Sequence, residues 1–176
     1  MQFRLVRVIL AFALAALVLD GCGVKQPPHR FSASELATKY TAAWCSQDPA
    51  KVAAFYGENG SLAINGGAPA VGRAAITESA RGFMTAFPDM VVTMTDLFPE
   101  GTGYVYRWSL TGTNTGPGGT GKHVRIGGQE NWQIGADGLI AKSIGSFDAA
   151  EYQRQLAEGA PPEPEPETRR PLRQRE

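Results

Sequence analysis

His123-Val124-Arg125-Ile126-Gly127-Gly128-Gln129-Glu130-Asn131-Trp132-Gln133-Ile134 is the stretch that decides how this chain is read. Its even positions carry Val124, Ile126, Gly128, Glu130, Trp132 and Ile134. Its odd positions carry His123, Arg125, Gly127, Gln129, Asn131 and Gln133. A period of two is the signature of a strand with one face toward a core and one toward water. Glu130 falls on the apolar face. Desolvating an ionised carboxylate costs several kcal/mol, so a glutamate there needs a partner, a proton or a wet cavity. Glu130 is therefore the first functional candidate.

The same period runs on both sides of this strand. Met90 to Phe98, Tyr104 to Thr113 and Leu139 to Phe147 read as further strands, with a hairpin turn at Ala136-Asp137-Gly138. Upstream the period is helical. Ser32-Ala33-Ser34-Glu35 has the spacing of a capping box, so a helix starts near Ser32 or Ser34. Leu36, Tyr40, Ala43 and Trp44 then share one face. Asp48-Pro49 is an N-cap followed by proline, and the short helix behind it buries Val52, Phe55 and Tyr56 and ends at Gly57. Ser61 to Asn65 reads as a brief strand turned by Gly66-Gly67. A third helix after Gly72 carries the stripe Ile76, Ala80, Phe83, Met84 and Phe87, stopped by Pro88. Asp148 caps a last short helix bearing Tyr152 and Leu156. Helices first and strands afterwards predict an α+β domain with helices on one sheet face.

The ends of the chain read differently. Arg4 and Arg7 precede an apolar run from Val8 to Leu19, which is too short to span a ~30 Å hydrocarbon core comfortably. Leu19-Asp20-Gly21-Cys22 follows and resembles the lipobox of bacterial lipoproteins, with Asp20 an atypical member. The resemblance implies cleavage after residue 21 and a lipid on Cys22; an ordinary signal peptide or an uncleaved anchor is the alternative. Residues 22–30 read as a stalk, residues 31–158 as the domain and residues 159–176 as a tail. Gly159 to Glu176 holds five prolines, four arginines, four glutamates and one leucine. Such a segment buries too little apolar surface to repay ordering, so disorder is expected. The implied location is a bacterial envelope, with the domain lipid-anchored.

Formal net charge is zero, from 17 basic and 17 acidic residues, and no basic stripe is visible, which argues against a nucleic-acid partner. With Cys22 acylated, Cys45 stands alone and no disulfide framework arises. The two histidines, His29 and His123, lie apart, and no metal or cofactor is expected. Gly116 to Lys122 spells most of a phosphate-binding loop. A strand follows where that motif needs a helix, so it reads as a hairpin loop.

This order of elements, with Gly112-Thr113-Asn114-Thr115-Gly116 before the long hairpin, resembles the SnoaL-like group of the nuclear transport factor 2-like superfamily from Ser34 to Leu156. The resemblance implies a cone-shaped α+β fold in which about three N-terminal helices pack on a curved antiparallel sheet. A pocket then opens between helices and sheet. Members include polyketide cyclases, ketosteroid isomerases, dehydratases and non-catalytic ligand binders. By the resemblance, Glu130 stands where cyclase-like members carry an acidic base and isomerases a protonated acid, and Tyr40 stands where isomerases carry a hydrogen-bonding tyrosine. The isomerase base is missing, because Ile64-Asn65 occupies its place. The His-Trp pair of cyclases is replaced by Ser143-Ile144.

Glu130 and Tyr40 are thus the candidate catalytic pair, and Trp44, Phe83, Trp108 and Trp132 the candidate ligand contacts. The competing reading of Glu130 is an ion pair with Arg107 or Lys142 on neighbouring strands. For Tyr40 it is plain core packing. Tyr104, Tyr106 and Trp108 line a pocket, pack beneath a helix or form a dimer surface. The functional expectation is a small hydrophobic ligand bearing a carbonyl or phenol, bound without chemistry. The alternative is a cyclase or isomerase that moves a proton through Glu130, and the expected partners include a second copy across the sheet face.

Overall fold

The computed structural model describes residues 31–162. The signal segment, Cys22 and the stalk lie outside the described residues, as does the tail from residue 163 onward. The hydroxyl of Ser32 accepts from the Glu35 backbone N–H at 3.2 Å and starts α1 (Ala33–Trp44). Asp48 caps α2 (Pro49–Ala53) by accepting from Ala50 N–H. β1 spans Tyr56–Ile64 and β2 only Ala70–Val71, followed by α3 (Gly72–Ala86). Then come β3 (Val91–Glu100), β4 (Gly103–Thr113), β5 (His123–Ile134), β6 (Ile140–Phe147) and α4 (Ala149–Glu158).

The six strands form one curved, unclosed sheet in the order β2-β1-β6-β5-β4-β3, with helices packed on it. β3 to β6 make the expected antiparallel meander, and β2 joins β1 in the same sense. β1 departs from the expected antiparallel arrangement and lies parallel to β6. It also begins earlier than Ser61. The second helix stops at Ala53, and the carbonyl of Phe55 accepts from Ile140 N–H at 2.9 Å, which draws Tyr56 into the sheet beside Ile140. Five residues of helix cannot compete with a sheet edge that satisfies the same backbone groups.

One face of the sheet is buried under the helices. Leu36, Tyr40, Trp44, Ile76, Met84 and Phe87 come down from α1, α3 and the end of α3. They meet Tyr106, Leu110, Val124, Ile126, Trp132 and Ile140. Tyr104, Tyr106 and Trp108 all face this side and pack with the core. The opposite face presents Arg107, Asn131, Gln133 and Lys142 to water.

β6 pairs with β5 only from Gly128 to Ile134, which leaves the start of β5 without a strand on that edge. The side chain of Gln155, 2 % exposed, takes the strand's place. Its Oε1 accepts from Arg125 N–H at 2.6 Å and its Nε2 donates to Arg125 O at 2.9 Å. That pair of bonds fixes α4 over the sheet and satisfies two backbone groups that would otherwise be costly to bury.

Candidate active site

Side-chain alternation along β5 turns Glu130 inward, directly opposite Tyr106 on β4 and Gly145 on β6. Four donors converge on its carboxyl group. α1 supplies Tyr40, whose hydroxyl lies 3.2 Å from Oε1 and 3.1 Å from Oε2. The first residue of β1 supplies Tyr56, 3.5 Å from Oε2 and 2.9 Å from the Tyr40 hydroxyl. Trp132, two residues along the same strand, donates its indole N–H to Oε2 at 2.9 Å. Ser143 on β6 donates to Oε2 at 2.6 Å. Tyr40, Tyr56, Ser143 and Trp132 are each at most 1 % exposed and Glu130 itself 6 %, so water competes for none of the four donors.

The two carboxyl oxygens are not equivalent. Oε2 collects the three shortest contacts, whereas Oε1 has one longer bond. A proton on Oε1 preserves every short bond into Oε2. Burial raises the Glu130 pKa from its ordinary value, and hydrogen bonds from Ser143, Trp132, Tyr40 and Tyr56 offset part of that rise. Burial likewise raises Tyr40 and Tyr56 well above the ordinary tyrosine range, with the Glu130 charge adding to it. These tyrosines stay neutral donors. Among the described residues no lysine, arginine or histidine forms an ion pair with Glu130. The ion pair with Arg107 or Lys142 is excluded by alternation. Arg107 stands opposite Gln129 and lies over the Phe98 ring at 5.0 Å, and Lys142 stands opposite Gln133, both on the outer face.

A pocket opens beside the carboxyl group. Trp44 and Phe83 form its helical wall. Trp108, Leu110, Tyr106, Ile64 and Phe147 are among the residues that form the sheet wall, with Glu130 and Gly145 between them. Its cavity volume is about 50 Å³, and the atom-free space that runs out into open solvent is about 500 Å³. Glu130 is the single carboxylate that lines it. Trp108 adds an unusual feature: its indole N–H is buried with no hydrogen-bond partner among the described residues. Such groups are rare and call for an explanation.

Of the residues expected at the site, Trp44, Phe83, Trp108 and Glu130 meet at the pocket. Tyr40 and Trp132 do not line it. They stand behind Glu130 and hold its carboxyl group, because a helix stripe or strand face fixes a direction but not a depth. Tyr56 and Ser143 were missed. Ser143 was within reach of the sequence, since counting back across the Ala136-Asp137-Gly138 hairpin brings it beside Trp132, two residues from Glu130. Tyr56 gave no such signal, because it arrives through a pairing of distant strands. Asn65, near the place of the missing isomerase base, instead accepts from Phe147 N–H at 2.9 Å. Among the described residues no cluster of histidine, cysteine, aspartate and glutamate gathers as for a metal. Gly116 to Lys122 leads into β5, as a hairpin loop does, and Asn114 ties that loop to Ala86 O at 3.2 Å.

Three solved structures show how widely this fold is shared. A protein of ketosteroid isomerase-like fold from Catenulispora acidiphila DSM 44928, solved in complex with trimethylamine, has a TM-score of 0.63 at 16% identity, over 74% of this chain and 100% of that one. TsrD from Streptomyces laurentii has a TM-score of 0.62 at 24% identity, over 72% and 96%. A phenazine biosynthesis-related protein from Pseudomonas aeruginosa has a TM-score of 0.56 at 17% identity, over 77% and 95%. No curated protein sequence matches the chain. Residues 34–156 match the family described as SnoaL-like polyketide cyclase, and with that match spanning most of its 176 residues the chain belongs to this family.

Proposed function

We propose that this protein binds a small, mostly apolar molecule bearing a carbonyl or phenol oxygen, and that Glu130 in its neutral form donates a hydrogen bond to that oxygen from Oε1. The observation that carries this reading is the asymmetric carboxyl group. Oε2 is saturated by Ser143, Trp132 and Tyr40, which leaves Oε1 for a proton and a ligand. The unpartnered Trp108 N–H supports it, because a second donor on the wall also calls for an acceptor. The trimethylamine bound by the Catenulispora protein supports small-molecule binding within this fold. Tyr40 and Trp132 act here as positioning residues for Glu130.

Cyclohex-2-enone is a suitable probe because it does not itself titrate. Its affinity, followed by NMR titration, is expected to fall as pH rises through the elevated pKa of Glu130. The Glu130→Gln variant retains a donor and is expected to bind with no such pH dependence. Wild-type affinity that is independent of pH contradicts the reading.

A second reading is proton transfer next to a carbonyl, as in a cyclase or isomerase, with Glu130 as base. The family supports it. The single carboxylate at the pocket supports binding instead, since general acid–base chemistry on a carbon acid commonly needs both a base and a group that stabilises the enolate. Deuterium exchange next to the carbonyl of the same probe, catalysed by the wild type and abolished in Glu130→Gln, would favour the enzyme.

We propose also that the domain is tethered to a bacterial envelope by a lipid on Cys22, on the support of the apolar run and Leu19-Asp20-Gly21-Cys22. Mass spectrometry of the mature protein is expected to find an acylated Cys22 at the N-terminus. An unmodified or different N-terminus contradicts this.

A further inference from the structure

Two glycines lie on the inner face of the sheet around Glu130, and they serve opposite ends. A side chain at Gly128 would overlap the six-membered ring of Trp108, so the space there is already filled by the protein. A Cβ at Gly145 would sit in ordinary contact, 3.5 Å from Ala63 O and 3.6 Å from Glu130 Cγ. Gly145 pairs directly with Glu130 across the strands and lines the pocket. A side chain there would take up pocket space beside Glu130.

We propose that Gly145 is the specificity-determining residue of this pocket: having no side chain, it leaves room for the carbonyl or phenol oxygen of a ligand beside the Glu130 carboxyl group. This rests on the ligand reading given above.

The test measures cyclohex-2-enone binding to the whole protein and to Gly145→Ala and Gly145→Val. Binding is followed by the chemical shift of the Glu130 side-chain carboxyl carbon, and the amide spectrum verifies that each variant is folded. Cyclohex-2-enone binding is expected to weaken several-fold in Gly145→Ala and by about tenfold or more in Gly145→Val, where about tenfold corresponds to ~1.4 kcal/mol. If Gly145→Val fails to fold, Gly145→Ala carries the comparison alone. Equal binding of cyclohex-2-enone by wild type and Gly145→Ala overturns the assignment of Gly145 and leaves the ligand reading standing. No saturable binding of cyclohex-2-enone by the wild type overturns the ligand reading itself, and the Gly145 assignment with it.

Discussion

Trp132→Ala is expected to cost about 3–5 kcal/mol of folding free energy, the usual range for emptying a buried aromatic site. Trp132 is 1 % exposed. Its ring stacks on Tyr106 at 4.7 Å between centroids and 13° between planes, and meets the edge of Tyr40 at 5.2 Å. Two elements, α1 and β4, therefore close around an indole carried by a third, β5. The substitution also removes a donor from Glu130, which the packing cost alone does not include. Trp132→Phe separates the two contributions. It keeps most of the ring contacts, loses the N–H, and should cost about 1–3 kcal/mol. Urea unfolding of the three proteins measures this directly. A loss below about 1 kcal/mol for Trp132→Ala would mean that this aromatic cluster is not the centre of the core.

The second large effect is on the pH dependence of stability. The folded-state pKa of Glu130 is raised, chiefly by burial, above that of an exposed glutamate. A raised acid is more easily protonated folded than unfolded. Its contribution to stability is therefore fully present below the unfolded pKa of about 4.3 and is lost as pH rises through the folded value. Glu130→Gln removes that titration and keeps nearly the same shape. The wild type is thus expected to gain on Glu130→Gln in acid, to lose ground as pH rises from the unfolded to the folded pKa, and to level off above it. Urea unfolding of both proteins between pH 4 and pH 9 reads the difference curve. A flat difference, or one that favours the wild type more at high pH, contradicts a neutral buried carboxyl group.

Local rules made most of the fold legible. The Ser32 and Asp48 caps start α1 and α2 as their spacing predicts, and the switch to period two after Pro88 marks where strands begin. Glu130 was identifiable because a strand of period two cannot hide which face a residue occupies. What local rules do not contain is register between distant strands. The parallel pairing of β1 with β6 brings Tyr56 to Glu130 from 74 residues away, and nothing near Tyr56 announces it. Reading alternation across strands, and not along one strand only, would have removed Arg107 and Lys142 as partners of Glu130. Depth was the other unseen quantity. Tyr40 and Trp44 share a stripe four residues apart, yet Trp44 reaches the pocket while Tyr40 stops at the carboxyl group behind it.

Everything proposed for the site depends on burial making Glu130 easier to protonate than an exposed glutamate, and on its donating from Oε1. The most direct measurement is the titration of its side-chain carboxyl carbon by carbon-13 NMR in the purified protein, assigned by comparison with Glu130→Gln. The account predicts a pKa clearly above the ~4.3 of an exposed glutamate. A pKa at or below about 4 would mean an ionised carboxylate held by its four donors, and would contradict the account.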